Sequence, residues 1–537
     1  MLKGLFSRTV SLSGAAFIVG IFSILSRVIG LVRDRLLAGA FGAGESLDVY
    51  FAAFRIPDFM YQMIVVGALS ATFIPLFSKI FTKEGEEAAW RMMNNVLHIM
   101  LFAFGAIAFT AWFFASELAN LVAPGMSPEG LVQVAALMKY MFIAQALLAV
   151  SMVYGSALQS LRRFFIYALA PIFYNIGIII GLIWIVPRVG IIGLAYGVVA
   201  GALLHMLLQR AGMWGTGYMW RPIFRPFNKQ IRYIVKHMPP RVLGLVANQL
   251  MLMSMTIFAS WIGVGSIAIT TFAYNLNFFP VGVIGVSFAI AAFPALSHAA
   301  QMDDQEGFRE ILSATIRQVF FFLIPIMVVT ILLRAQIVRA VVGAGAFDWS
   351  ATISTAQLLG LFALSFIPQS LVYVFARAFF AKEDTWTPLF VGFGALAIQL
   401  ALTIFLAPLY GLIGLGIAFT VASFVQAGVL WLIFRYFLVS IESRVLMRSL
   451  GTLFIAGIVS AITLQLTKQI FSAYIHLTTW TSIMAQFTIG TFVALSMYTL
   501  SAWLMGNEDM TAFLAGLKRR LLTRVKPSET VNVTPGT

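Results

Sequence analysis

Fourteen stretches of this chain are long, nearly uninterrupted runs of apolar residues. About twenty such residues are what a helix needs to cross a lipid bilayer. The runs lie at residues 14–38, 47–78, 90–116, 131–158, 164–186, 191–212, 238–262, 268–297, 311–333, 351–379, 386–407, 411–437, 447–467 and 480–505. They do not alternate apolar and polar with a period of two, so a transmembrane barrel is excluded. Every backbone group in lipid must be satisfied inside its own segment, which leaves helices. Turns bearing Gly or Pro separate the runs, as at Gly42 to Gly44, Pro187 to Gly193 and Pro408 to Gly411. The expectation is an all-α integral membrane protein of about 14 transmembrane helices. Composition closes the other routes. Of 537 residues 61% are hydrophobic and 10% charged, against about a quarter charged in a soluble domain. A cytosolic enzyme, a nucleic-acid module and a disordered chain are thereby excluded. With no cysteine, a disulfide framework and a cysteine nucleophile are excluded too. Met1 to Leu25 looks like a secretory signal, with Lys3 and Arg8 before apolar sequence, but no small-residue cleavage site follows. It reads as an uncleaved first span.

The chain still carries 35 Lys and Arg against 20 Asp and Glu, a net charge of +15. With the N-terminus inside, 25 of the cations fall on the inner side, and only Arg188, Arg334, Arg339 and Lys468 fall in outer loops. That asymmetry sets both termini in the cytoplasm and needs no nucleic acid to explain it. The basic stretch Leu517 to Val525 is expected to lie on anionic membrane lipid, and Pro527 onward to be disordered.

The two halves resemble each other. Ala53-Phe54-Arg55-Ile56 matches Ala273-Tyr274-Asn275-Leu276, and Phe73 to Pro75 with Ser78 matches Ala292 to Pro294 with Ser297. An acidic loop follows each. Arg163 to Phe165 echoes Arg377 to Phe380, and Pro187 to Gly193 echoes Pro408 to Gly414, all at offsets of 214 to 221 residues. An even number of spans separates the copies, so the repeat is parallel, the plan of carriers whose halves rock about a central site. The expected organisation is a six-helix repeat at 1–212, a basic linker at 213–237, a second six-helix repeat at 238–437, two extra helices at 438–506 and a basic tail at 507–537.

Once the cations assigned to loops and termini are set aside, six remain: Arg27, Arg33, Arg35, Arg55, Lys139 and Arg241. A guanidinium at mid-bilayer costs about 2.5–3.5 kcal/mol on insertion scales, so it faces a cavity or a partner. Asp34 lies between Arg33 and Arg35, open to a local ion pair. Asp48 begins the second span, where a helix cap is the plain alternative. Arg55 precedes Pro57 and Asp58, and an Arg55–Asp58 pair on one helix is the plain alternative there. Tyr61 and Gln62 extend this polar strip, and Asn275 and Asn277 before Pro280 mark the corresponding discontinuity in the eighth span. A cavity lined by guanidinium and amide groups suits an anion, and the arginine fork matches phosphate. The histidines have no metal-ligand spacing, no phosphate-binding Gly-rich Lys motif occurs and no nucleophile–base pair is evident, so neither enzyme chemistry nor a resident metal or cofactor is expected.

At these residues the chain resembles the MurJ (MviN) lipid II flippase family, within the MATE/MurJ/polysaccharide-flippase superfamily. The resemblance runs through Ser26 to Asp34, Phe41 to Asp48, Phe54 to Pro57, Phe279 to Gly285 with Phe293-Pro294, and Phe375 to Pro388. It implies a bacterial cytoplasmic (inner) membrane protein that flips lipid II, an undecaprenyl-diphosphate-linked disaccharide-peptide, by alternating access. The resemblance places Arg27, Arg33 and Asp34 in the central cavity and its outer gate. Arg27, Arg33, Arg55, Tyr61, Gln62 and Asn275 are then the candidate substrate residues, and Asp34, Arg35 and Asp48 the candidate gate. The two extra helices would supply a groove for the lipid tail. Membrane potential supplies a drive, with a coupling cation left open, and the cell-wall synthesis machinery is an implied partner. The chain departs from the family's pattern at Tyr61, Gln62 and Val66, where basic residues and a glutamate are usual, and at Asn275, where an arginine is usual. The alternatives are a flippase for another polyprenyl-diphosphate glycan, a drug exporter of the same superfamily, and an integral-membrane glycosyl- or acyltransferase.

Overall fold

The computed structural model describes residues 12–66, 73–237, 239–438, 443–475 and 479–523. The expectations at Lys3, Arg8 and residues 524–537, and for the side chains of Val66, Arg241 and the Lys518 to Arg520 run, lie outside the described residues.

Among the described residues every predicted span coincides with helix. The helices are α1 (Leu12–Phe41), α2 (Glu45–Tyr61), α3 (Ile74–Lys83), α4 (Glu86–Phe113), α5 (Ala115–Val122), α6 (Pro128–Ser160), α7 (Phe164–Ile180), α8 (Val186–Val189) and α9 (Ile192–Gly212). Then come α10 (Lys229–His237), α11 (Pro239–Ile262), α12 (Ser266–Pro280), α13 (Val286–Gln301), α14 (Gln305–Leu332), α15 (Arg334–Val341), α16 (Trp349–Leu364) and α17 (Phe366–Ala381). Last are α18 (Trp386–Tyr410), α19 (Leu412–Ile433), α20 (Ser443–Tyr474), α21 (Trp480–Leu504) and α22 (Glu508–Thr523). No strand occurs among the described residues. Ten spans there are long and apolar enough to cross a membrane, and α16 with α17, bent by 44°, makes up to 11. Where described, the other three predicted spans are helical too. Two of them, α1 and α2, carry the buried Asp34 and Asp48, and the third is α11.

Local chemistry sets the ends. Gly42 closes α1 at φ +66°, a conformation that costs glycine little. Ser127 accepts from the Gly130 N–H and Asp304 from the Gly307 N–H, capping α6 and α14. The discontinuities expected at Pro57 and Pro280 are widened π-type turns, at Gln62–Val66 and Val281–Gly285. Such turns leave a carbonyl out of the regular ladder and bend the helix.

The chain forms two compact units: Met1–Asn277 with Ile337–Phe362 and Glu383–Val429, and Phe278–Gln336 with Ala363–Lys382 and Leu430–Thr537. In the first, α7 and α9 pack backbone to backbone. A Cβ on Gly177 would lie 2.3 Å from the Gly201 Cα, and one on Gly181 2.4 Å from the Gly197 Cα. Small residues at this spacing let helices approach in lipid, where no hydrophobic force drives them together. The linker is docked rather than loose. Asn95 donates to the Arg225 carbonyl (3.0 Å) and accepts from its N–H (2.6 Å), while Asn94 accepts from the Tyr218 hydroxyl at 2.7 Å. Burial raises that phenol above the ordinary tyrosine value, so it stays neutral and donates. In the second unit α20 and α21 form a hairpin against α14. The α22 helix is fastened there by the Arg317–Asp509 pair at 3.2 Å and by Asn507, which donates to the Thr452 hydroxyl at 2.7 Å.

Candidate functional site

The predicted charges gather in the first unit. Arg33 and Asp34 are neighbours near the end of α1, and the long arginine folds back on the carboxylate. Nε and Nη2 both donate to Asp34 Oδ1, at 3.0 and 2.7 Å, and Nη1 donates to Asn175 Oδ1 at 2.9 Å. The other carboxylate oxygen accepts from Asn275 Nδ2 at 3.2 Å. Asp34 is 4% exposed. A buried charge is tolerable only when it is paired and hydrogen-bonded, and here both conditions hold.

Asp48, in the first turn of α2, reaches a different helix. Its carboxylate accepts from the Gly265 N–H (2.5 Å) and the Ala268 N–H (2.8 Å), so it caps α12 rather than its own helix. A carboxylate at the positive end of a helix contributes about 0.3–1 kcal/mol, up to ~2 when partly buried. Gly265 turns the chain into α12 at φ +84°, and a Cβ there would meet the Ala43 carbonyl oxygen at 2.3 Å.

Arg55 lies two turns further along α2. Nε donates to Thr256 Oγ1 at 2.7 Å and Nη2 to Thr271 Oγ1 at 3.3 Å. The same-helix Arg55–Asp58 pair is not formed; Asp58 accepts instead from Gln145 Nε2. Arg35 donates to the carbonyls of Ala340 (2.6 Å) and Arg339 (3.4 Å) at the last turn of α15, where a cation complements the helix dipole.

One helix therefore receives three of the predicted charges. Asp48 holds α12 at Gly265 and Ala268, Arg55 at Thr271 and Asp34 at Asn275. Steps of three and four residues keep these positions on one face. The backbones close alongside. The Ala346 N–H donates to the Gly39 carbonyl at 2.9 Å, and a Cβ on Gly39 would lie 3.6 Å from the Ala344 Cβ.

Arg27 is half-buried on α1, about 9 Å along the axis from Arg33. Tyr61 packs on the apolar cluster around Phe73 and Phe77, and Gln62 opens the widened turn. Neither is hydrogen-bonded to the arginine–aspartate group. Lys139 sits over the Trp112 ring at 5.6 Å, a cation–π contact that accounts for its place on α6. The partners were the part that sequence reasoning missed: Asn175, Thr256, Thr271 and Gln145. Their only signal is being polar in an apolar run, which every interhelical hydrogen bond shares.

Among the described residues no group of three or more His, Asp or Glu is placed to hold a metal ion. Solved structures that this chain resembles include a flippase and a MATE family transporter. One, "Lipid II flippase MurJ, inward closed conformation", matches with a TM-score of 0.73 at 23% identity, covering 90% of this chain and 98% of that one. Another, an inward-facing multidrug resistance MATE family transporter of the MOP superfamily, matches at 0.65 and 15% identity over 76% and 94%. The fold is the one shared by these flippase and MOP-superfamily transporter structures. The family model described as lipid II flippase MurJ matches residues 37–485. The chain belongs to that flippase family. Curated relatives include the "Lipid II flippase MurJ" of Burkholderia cenocepacia, 25% identical over 79% of this chain and 84% of its own. The "Probable lipid II flippase MurJ" of Buchnera aphidicola subsp. Acyrthosiphon pisum is 28% identical over 76% and 81%. A flippase moves its substrate without covalent chemistry, as the residue inventory led one to expect.

Proposed function

We propose that this chain moves lipid II from the inner to the outer leaflet of the bacterial cytoplasmic membrane by alternating access, and that the ties to α12 are its outer gate. The observation that carries this reading is the convergence of Asp48, Arg55 and Asp34 on one face of one helix. These three residues belong to the first sequence repeat and α12 to the second, so breaking the ties is what parting the repeats requires. Opening exchanges partners. Arg33 and Arg55, released from Asp34 and the threonines, offer their forks to the diphosphate, with Arg27 deeper along α1. Tyr61, Gln62 and Asn275 line the path, and Arg35 steadies α15. Both termini face the cytoplasm and the basic tail lies on anionic lipid. An inside-negative potential favours outward movement of the anion by about 2.3 kcal/mol per charge per 100 mV.

Lipid II exposed at the outer leaflet of proteoliposomes is the test. Arg33→Ala is expected to lower exposure about tenfold or more, the effect of ~1.4 kcal/mol or more on a binding step. Arg91→Ala, an exposed arginine paired with Glu87, stays at the wild-type level. Wild-type exposure in Arg33→Ala would overturn the assignment.

A further inference from the structure

Asp58 is not absorbed by the gate. Its carboxylate lies within α2, one turn past Arg55, yet Arg55 is committed to Thr256 and Thr271. Its hydrogen-bond donor is the Gln145 amide of α6. The groups that face it are Arg55, Tyr50 and Tyr61 on its own helix and Tyr174 on α7, with the Arg33–Asp34 pair beyond Tyr50. The amide is informative. Gln145 is 2% exposed, and while its Nε2 is used, its Oε1 is buried with no donor. A buried acceptor left unpaired costs about 1–3 kcal/mol, and a carboxylate offers it only another acceptor. A carboxylic acid offers what is missing, one O–H donor. Acid and primary amide then pair in a ring of two hydrogen bonds, N–H to one carboxyl oxygen and O–H to the amide oxygen.

We propose that Asp58 is a proton-binding site, paired with Gln145 when protonated, and that its protonation state decides the partner of Arg55. The chemistry balances simply: an O–H bond forms at Asp58 with a proton taken from hydronium, leaving water, and the reverse step returns it. With the acid neutral, Arg55 stays on Thr256 and Thr271 and holds α2 to α11 and α12. With the acid ionised, a carboxylate three residues from the guanidinium competes for it, and the tie to α12 loosens. The arrangement seen here, arginine on the threonines and an orphan amide oxygen beside the acid, is the protonated one. A metal ion fits less well. Asp58 and the Gln145 oxygen supply three oxygens at most, where hard cations take six or more. The effect on α12 rests on the gate reading above; the proton site itself does not.

Infrared difference spectra between acid and alkaline conditions, on the full chain in lipid nanodiscs without lipid II, test the site. The wild type is expected to show a carboxylic-acid carbonyl band that is absent in Asp58→Asn. In Gln145→Leu, which keeps the acid but removes its partner, the band moves to higher frequency. A band unchanged in Asp58→Asn, or one that follows sodium concentration instead of pH, overturns the proposal. Should Asp58→Asn fail to fold, the Gln145→Leu shift decides, and no shift there also overturns it. Lipid II exposure against pH, measured separately in proteoliposomes, is expected to fall as the pH is lowered in the wild type, because protonation holds the gate shut. A pH response in exposure that persists undiminished in Asp58→Asn breaks the link to Arg55. Loss of lipid II exposure at every pH, with the infrared band intact, would instead count against the flippase reading.

Discussion

At the scale of single residues, a charge in lipid is legible and its partner is not. Arg33, Asp34, Asp48 and Arg55 stand out because burying each without compensation costs several kcal/mol. Nothing in the sequence says that Arg33 ends on Asn175, or that Asp48 caps a helix more than two hundred positions away. The plain alternatives at Asp48 and Arg55 were both local, since a sequence shows only local neighbours; the structure chose distant ones. Asn275 shows the same limit. Read as a lost arginine it looked like a gap in an anion clamp, whereas its amide donates to Asp34 and completes the carboxylate's shell. Two expectations follow. Asp34→Ala leaves the part-buried Arg33, 21% exposed at its side chain, without its counter-charge and should cost about 3 kcal/mol, the low end for a fully buried pair, read as a lower midpoint of thermal unfolding in detergent. Asp48→Ala removes a cap and an anion from the N-terminus of α12, a loss of about 1–2 kcal/mol. It should leave α12 folded but raise the labelling rate of a cysteine introduced at Ser266, which is buried beside that cap.

At the scale of elements, the spans were readable from their length and apolarity, and the breaks within them only in part. Pro57 and Pro280 announced discontinuities, but the widened turns at Gln62–Val66 and Val281–Gly285 lie after the prolines, where no residue type demands them. The short helix α5 starts at the predicted end of the third span and runs on beyond it, and α15 falls in a predicted outer loop. The linker helix α10 and the Asn94–Asn95 clasp were invisible because backbone recognition by an amide leaves no pattern in the chain. The glycines of α7 and α9 carry the firmest prediction at this scale. A Cβ at Gly197 would lie 2.8 Å from the Gly181 Cα, so Gly197→Leu must push two backbones apart. Overpacking of this kind typically costs about 1–3 kcal/mol and occasionally more. The expected result is reduced recovery of folded protein, with Gly105→Leu, where a Cβ meets nothing within 4 Å, recovered like the wild type.

At the scale of the whole molecule, net charge alone would have suggested an anionic polymer as partner. Position divides the cations into those expected to set topology and those tied to α12, Arg55 directly at Thr271 and Arg33 through Asp34 and Asn275. If they are an outer gate, flipping depends on parting them, and dissipating the membrane potential should slow exposure of lipid II without altering its binding. The most direct measurement uses the absence of native cysteine. Cβ atoms 3.6 Å apart at Gly39 and Ala344 fall within the range of about 3.5–4.5 Å that a disulfide spans. In the Gly39→Cys, Ala344→Cys double variant in proteoliposomes, oxidation should abolish exposure of lipid II at the outer leaflet, and reduction should restore it. Undiminished exposure with the disulfide formed would contradict the gate.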